Sequence, residues 1–353
     1  MNHSPEPPDQ TRSMHHYVTL AYLEGMLADG ESRLWVYERN SDRVFRNIPK
    51  NLATKRAYYT IVGKDGADSD VFEKMLGEEI EGPGISALRR LSRDTRQLNW
   101  QERLHATALI AVQELRVPYM REQLSEMMKG LYTAFMHRTV SEPGRLEKYL
   151  KERQAAGKAS AGVSAAEMRN AVMDGGIKLE MKPEASLRAM GHSLRALIST
   201  YAEMRWTVLI ANDGEFVTSD CPVCRDYPET HSMPAGLVNP DLTLYFPFSR
   251  SRALRLSHDE KKMRIFRILM QQGREREATR LRGRTPEISY RPATVNETNS
   301  INTLIIKRAQ RWVYSPSENP SIPAEFRGDC ANLKMAIESQ TAEGWLKWTT
   351  KIQ

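Results

Sequence analysis

The sequence predicts an α+β protein: a mainly helical body, a small N-terminal β element and a short-stranded C-terminal antiparallel sheet. Three observations predict it. From about residue 70 to 205, apolar residues recur at the three- and four-residue spacing of amphipathic helices. From 206 to about 260 the texture changes to short runs bounded by turn residues, the pattern of strands. Seventeen methionines against eight phenylalanines suit adaptable helix packing rather than an aromatic sandwich core.

The elements follow in order. Residues 1–12 are polar and proline-bearing, and read as a disordered lead without a secretory signal. Tyr17–Leu27 reads as a short helix, and Arg33–Arg39 and Ala57–Gly63 as strands. "DVFEKMLGEEIEGPG" is a helix capped by Asp70 and stopped at Gly82-Pro83-Gly84, followed by the helix "ISALRRLSR". Trp100–Phe135 is the longest helical stretch, kinked or broken at Pro118, which has no amide proton to donate. Two amphipathic helices, "RLEKYLKERQAAG" and "SAAEMRNAVMDGG", precede the long helix "PEASLRAMGHSLRALISTYAEMR". "WTVLIAN" and "DGEFVTSD" then read as a hairpin turning at Asp213-Gly214. "LTLYFPFS" and "ALRLSH" are two further strands, Lys261–Arg291 is Arg-rich and poorly patterned, and "VNETNSINTLIIKRAQRWVYSP" reads as a helix ending before Pro316. This makes 13–316 a single domain and 317–353 an extension.

Composition narrows the function classes. No apolar run approaches the roughly 20 residues of a membrane span, so no membrane partner is expected. Three cysteines, an odd number, argue against a disulfide framework and for a cytoplasmic setting. The net charge of +7 favours polyanionic partners through long-range steering. Cys221 and Cys224 form a Cys-x-x-Cys frame, but only His231 and the distant Cys330 could complete a zinc site, and no zinc is expected. Beside them, a strand ending in Thr218-Ser219-Asp220 either presents a carboxylate outward or closes a turn in which Asp220 caps backbone amides.

Four segments, "HHYVTLAYLEGM" with "RLWVYER", "FVTSDCP", "YFPFS" and "INTLIIKRAQRWVYSP", together resemble a microbial family, the domain-of-unknown-function 4238 family. "HHYVTLAYLEGM" followed by "RLWVYER" is similar to the family's opening motif, "FVTSDCP" to its second, and "YFPFS" to a later aromatic-proline stretch. "INTLIIKRAQRWVYSP" is similar to its closing helix, with an early Asn and a terminal Tyr. Thr19 stands where the family usually has Pro, and Cys221 where it often has Asn. The resemblance implies candidate positions rather than an activity.

Those positions combine with others that the residues suggest. His16, with Tyr17 beside it, is an imidazole near its working pKa next to a phenol donor. His15 suits a surface or capping role. Glu73 and Glu81, eight residues apart on one helix, could hold a divalent cation with Asp220 or act as acid and base, or simply form a solvated face. His105, Leu109, Gln113 and Arg116 share a helical stripe, and a buried Arg116 would need Asp220 or a glutamate as its partner. Arg274, Arg276, Arg280, Arg282 and Arg284 form a basic tract suited to phosphates, or a solvated face interleaved with Glu275 and Glu277.

The reading these support is a metal-assisted nucleic-acid hydrolase using Mg or Mn, in a setting such as a toxin or phage-defence effector. His16, Tyr17, Glu73, Gln113, Arg116 and Asp220 would be its catalytic residues. A non-catalytic binding module and an enzyme acting on a small phosphorylated ligand stand as alternatives. The absence of a Gly-x-x-x-x-Gly-Lys loop, a Gly-x-Gly-x-x-Gly fingerprint and a Gly-x-Ser-x-Gly elbow disfavours the common nucleotide-binding folds and serine hydrolases.

Overall fold

The computed structural model describes residues 14–56, 58, 61–62, 68–69, 74–93, 97–156, 164–175, 183–227, 236–237, 239–282, 287–319, 322 and 326. Of these, residues 61–62, 68–69, 183–189, 267 and 279–282 are described by backbone alone. The chain divides into two compact units, Met1–Val117 with Ser193–Gln353, and Pro118–His192. The lead at 1–12 and most of the extension at 317–353 lie outside the described residues, as do Glu73, Arg284, His231 and Cys330.

The first unit begins with strand β1 (Met14–His16), helix α1 (Leu20–Gly25) and strands β2 (Leu34–Glu38) and β3 (Val44–Asn47). A 3-10 turn at Pro49–Asn51, β4 (Thr54–Arg56) and the two-residue strands β5 (Ile61–Val62) and β6 (Asp68–Ser69) follow. A π-helix, Leu76–Glu81, runs directly into α2 (Gly82–Arg93). The Gly-Pro-Gly stop therefore does not occur. Pro83 falls in the first turn of α2, where a missing amide proton costs no helical hydrogen bond. Gly84 is needed for a different reason: a Cβ there would lie 2.5 Å from Leu109 Cβ, on the neighbouring helix α3 (Trp100–Leu115). That helix starts in a capping box, with the Asn99 side chain accepting from Glu102 N–H and Glu102 reaching back to the Asn99 amide.

Pro118 breaks the long helix rather than kinking it, and the second unit begins there. It contains α4 (Pro118–Ser141), α5 (Arg145–Ala155) and α6 (Ala165–Met173), with Val140, Leu146 and Val172 as its small buried core. Helix α7 (Pro183–Glu203) carries the chain back into the first unit.

The first unit then adds β7 (Arg205–Ala211), β8 (Thr218–Ser219), β9 (Cys224–Asp226), β10 (Thr243–Ser249) and β11 (Arg252–Ser257). Helices α8 (Glu260–Gln271) and α9 (Glu275–Arg282) follow, then β12 (Ser289–Ala293), α10 (Val295–Arg308) and β13 (Trp312–Ser315). One sheet has the order β12-β7-β11-β10-β9, antiparallel except for the parallel pair β12–β7. A second has the order β3-β2-β13-β8, so two N-terminal strands share a sheet with the chain's last described strand, while β1–β4 and β5–β6 pair separately.

Three expectations change accordingly. The β7–β8 hairpin does not form: β7 is an interior strand, already flanked by β11 and β12, and β8 pairs with β13 in the other sheet. Asp213-Gly214 thus passes the chain between sheets, with Gly214 at φ +143°. The closing helix ends at Arg308, and "WVYS" is a strand, because Val313 and Tyr314 are buried between β2 and β8. The unpatterned Arg-rich tract folds as α8, α9 and β12, with the Asp259 side chain capping α8 through Lys262 N–H.

Candidate functional site

Three of the four motif segments meet at one tyrosine, and the fourth pairs with one of them. Tyr22, on α1, is fully buried; its hydroxyl donates to the Pro247 carbonyl at 2.7 Å and lies 2.6 Å from the Thr218 hydroxyl. Its ring stacks on Phe246, 5.1 Å between centroids. Pro247 can serve here because the β10–β11 register shifts between Pro247 and Ser249, a bulge that tolerates a residue without an amide proton. The closing segment arrives through Tyr314, which faces Thr218 across the β13–β8 pair. Asn302 on α10 holds the approach to β8: its Oδ1 accepts from Val217 N–H at 3.0 Å and its Nδ2 donates to the Glu215 carbonyl at 2.9 Å.

Arg116 ties the end of α3 to the same region. Its guanidinium is buried and fully engaged within the chain. Nε donates to the Tyr17 carbonyl at 2.9 Å, Nη2 to the Thr19 hydroxyl at 2.6 Å, and Nη1 pairs with the Glu81 carboxylate. One turn earlier, Gln113 Oε1 accepts from Thr19 N–H at 3.2 Å. The Arg116 carbonyl in turn accepts from the Tyr58 hydroxyl at 2.9 Å. The buried arginine's partner is therefore Glu81, not Asp220. Glu81 comes within reach because the π-helix ends on it, and such widened turns recur at functional sites.

His16 is half-buried beside this pair. Its Nε2 lies 3.1 Å from the Lys50 carbonyl, which places the ring proton on Nε2 and the lone pair on Nδ1. Burial first, and the Arg116 charge after it, hold the imidazole below its ordinary pKa of 6.5, against the opposing pull of the Lys50 carbonyl and Glu81. His15 is fully buried rather than at the surface, because β1 turns alternate residues inward against β4. Tyr17 is buried, its ring edge-on to Tyr58 at 6.3 Å. Burial and then the Asp220 carboxylate raise its pKa, and burial does the same for Tyr314. Both phenols therefore stay protonated. The Tyr314 hydroxyl lies toward Tyr17 and the Ala53 backbone without a short, aligned hydrogen bond, and Gln113 Nε2 has none either.

Asp220 does not present its carboxylate outward. Oδ1 accepts from Gln310 N–H at 2.9 Å, and Oδ2 from Arg311 and Trp312 N–H at 2.7 and 3.1 Å. It does cap amides, but those of the segment entering β13, ninety residues away in sequence. The local turn belongs to Ser219, whose Oγ accepts from Cys221 N–H at 3.1 Å. Burial raises the Asp220 pKa to about 6, with the three amides pulling the other way.

The structure thus brings together His16, Tyr17, Glu81, Gln113, Arg116 and Asp220, linked through Tyr17 and Thr19. Of the residues offered for a cation, Glu81 is bound to Arg116, Asp220 to three amides, and Glu73 lies outside the described residues. Among the described residues no three His, Cys, Asp or Glu side chains cluster as a metal would require. Burial raises the thiol pKa of Cys221, and that of Cys224 to about 12, so neither is a ready nucleophile.

In the basic tract, Arg274 is held by Glu277 through Nε and Nη2, at 2.7 and 2.6 Å, and Arg276 is exposed. The side chains of Arg280 and Arg282, and all of Arg284, lie outside the described residues. Asn302 and Tyr314 are the early Asn and terminal Tyr of the closing segment, given no site role by the sequence, and Tyr22 carries no individual signal. All three sit inside the quoted motif segments, so the resemblance is the signal that points to them.

The family described as protein of unknown function (DUF4238) matches residues 14–319. No curated protein and no solved structure matches the chain.

Proposed function

The chain belongs to the DUF4238 family, and on that premise we propose that it is a hydrolase of nucleic-acid phosphodiesters centred on His16. The observation that carries this reading is one half-buried imidazole with its lone pair on Nδ1, flanked by the Arg116–Glu81 pair and followed by Tyr17, beside which Asp220 and Tyr314 of two further motif segments lie. A neutral imidazole at pH 7 is suited to take a proton from water or a sugar hydroxyl as it attacks phosphorus. The phenols of Tyr17 and Tyr314, raised in pKa by burial, stay protonated and are donors. A cation at Glu81 or Asp220 would have to displace Arg116 or backbone amides.

Purified full-length protein, incubated with labelled RNA, single-stranded DNA and duplex DNA in Mg²⁺, Mn²⁺ or EDTA, tests the reading. Cleavage by the wild type that His16→Gln abolishes, while leaving the melting temperature unchanged, is the expected result. Persistence of cutting in EDTA would assign the chemistry to protein groups alone, whereas its loss would return a cation to the site. No cleavage under any condition would overturn the reading.

A second reading has its own support. Arg116 and Asp220 spend their hydrogen bonds on the protein, as in a polar network that fixes a fold. This favours a binding module, and the same assay, run as a binding measurement, separates the two.

A further inference from the structure

The outer part of one sheet face carries an aromatic platform that the hydrolase reading does not use. In the β3-β2-β13-β8 sheet, the pairs Val36↔Phe45, Val36↔Tyr314 and Glu38↔Trp312 put Phe45, Trp312 and Tyr314 on the same face. Tyr314 is buried, whereas Phe45 and Trp312 are only half-buried. Their rings meet edge to face, 5.9 Å between centroids and 89° between planes. Exposed guanidiniums cover them: Arg43 lies 4.7 Å from the Phe45 centroid and Arg311 4.6 Å from that of Trp312. Glu38 holds both cations in place, accepting from Arg311 Nε and Nη2 at 3.0 and 2.8 Å and lying 3.5 Å from Arg43 Nη1.

The platform is continuous with the site. Trp312 N–H donates to Asp220, and Tyr314, two residues on, lies against Tyr17. On the His16 side the exposed cations are Lys50, whose carbonyl faces the imidazole, and Lys55 and Arg56 on β4, the partner of β1. One ligand chemistry matches flat rings capped by guanidiniums beside a band of exposed cations: unstacked bases on a phosphate backbone. Duplex does not match, because its bases are stacked and unavailable to ring faces.

We propose that Phe45 and Trp312, with Arg43 and Arg311, form a stacking platform for single-stranded nucleic acid and lead the strand toward His16. The proposal rests on the reading that nucleic acid is the substrate, but it concerns binding and does not depend on cleavage. It also locates the contact surface on the N-terminal β element rather than on the α8–α9 tract.

The test is fluorescence anisotropy with labelled single-stranded RNA and DNA oligomers and a duplex of the same sequence. Full-length protein carries His16→Gln so that the probe survives. Phe45→Leu and Trp312→Leu remove the flat ring while keeping apolar bulk, Arg311→Gln removes one cation, and melting curves confirm folding. The wild-type surface is expected to prefer single strands. Each Leu variant should bind roughly five- to a hundredfold more weakly, from the loss of one base–aromatic stack. Their salt dependence should be unchanged, and that of Arg311→Gln should be shallower by about one counterion. Equal binding of duplex and single strand, or folded Leu variants that bind like the parent, would overturn the proposal. So would loss of binding in Arg264→Gln/Arg276→Gln without loss in the Leu variants, which would move the contact to the α8–α9 tract. Single-strand binding that needs the rings, in a protein that never cuts, would uphold the platform and sink the hydrolase reading. Cutting by a protein whose Leu variants bind and cut normally would do the reverse.

Discussion

Asp220 and His16 carry opposite pH signatures, and each follows from burial. An aspartate raised from 3.8 to about 6 in the folded chain holds its proton more tightly there than when unfolded. Its contribution to stability is therefore complete below about pH 4 and is lost as pH rises through about 6. Asp220→Asn should flatten stability over that window in urea titrations at several pH values, and a window of unchanged slope would mean that Asp220 ionises as in water. His16, lowered below 6.5, contributes the other way: stability present above pH 6.5 falls as the unfolded chain takes up the proton first. If His16 is the base, kcat/KM should rise to a plateau with a midpoint below 6.5, and a midpoint above 7 would exclude it. Arg116→Met leaves the Glu81 carboxylate without its guanidinium and strips donors from the Tyr17 carbonyl and Thr19 hydroxyl. A loss of about 3–5 kcal/mol is expected by denaturant titration.

At the scale of elements, the contact between α2 and α3 positions Glu81 against Arg116. Gly84→Ala would drive a methyl group to 2.5 Å from Leu109 Cβ and 2.9 Å from the His105 carbonyl, both on α3. The helices must then separate, at a cost of about 1–3 kcal/mol. Because that separation also draws Glu81 from Arg116, Gly84→Ala should lower any cleavage more than Gly77→Ala, where a Cβ meets nothing within 4 Å. The elements with a local cause were legible beforehand. Pro118 broke the long helical stretch that starts at Trp100, and the α5, α6 and α7 segments fell where their apolar spacing put them. Elements decided by distant partners were not legible: β13 looks helical in isolation and becomes a strand between β2 and β8.

For the whole molecule, the two compact units differ in how much they bury. The core of Pro118–His192 rests on Val140, Leu146 and Val172, while Met127, Leu131, Tyr132 and Phe135 on α4 remain about half exposed. The other unit closes two sheets over fully buried Trp206, Phe216, Phe246, Tyr22 and Tyr314. Unfolding should then occur in two steps. Amides of α4–α6 are expected to exchange with deuterium at lower denaturant than those of β7, β10 and β11. A single concerted transition for all of them would show that the smaller unit has no independent stability. No described helix is long and apolar enough to cross a membrane.

By itself the sequence determined the α+β class, the helices with a clear apolar spacing, and the four segments that mark the family, because each is written in local spacing or in residue order. It also supplied His16, Tyr17, Gln113, Arg116, Asp220 and Glu81 as residues to examine. Only the tertiary structure decided their partners: Glu81 rather than Asp220 for Arg116, backbone amides rather than solvent for Asp220, and Tyr22 as the point where three segments meet. The reason is physical. A buried polar group must find its complement wherever the packed chain brings one, and Tyr22 and Pro247 are brought together across 225 residues of sequence.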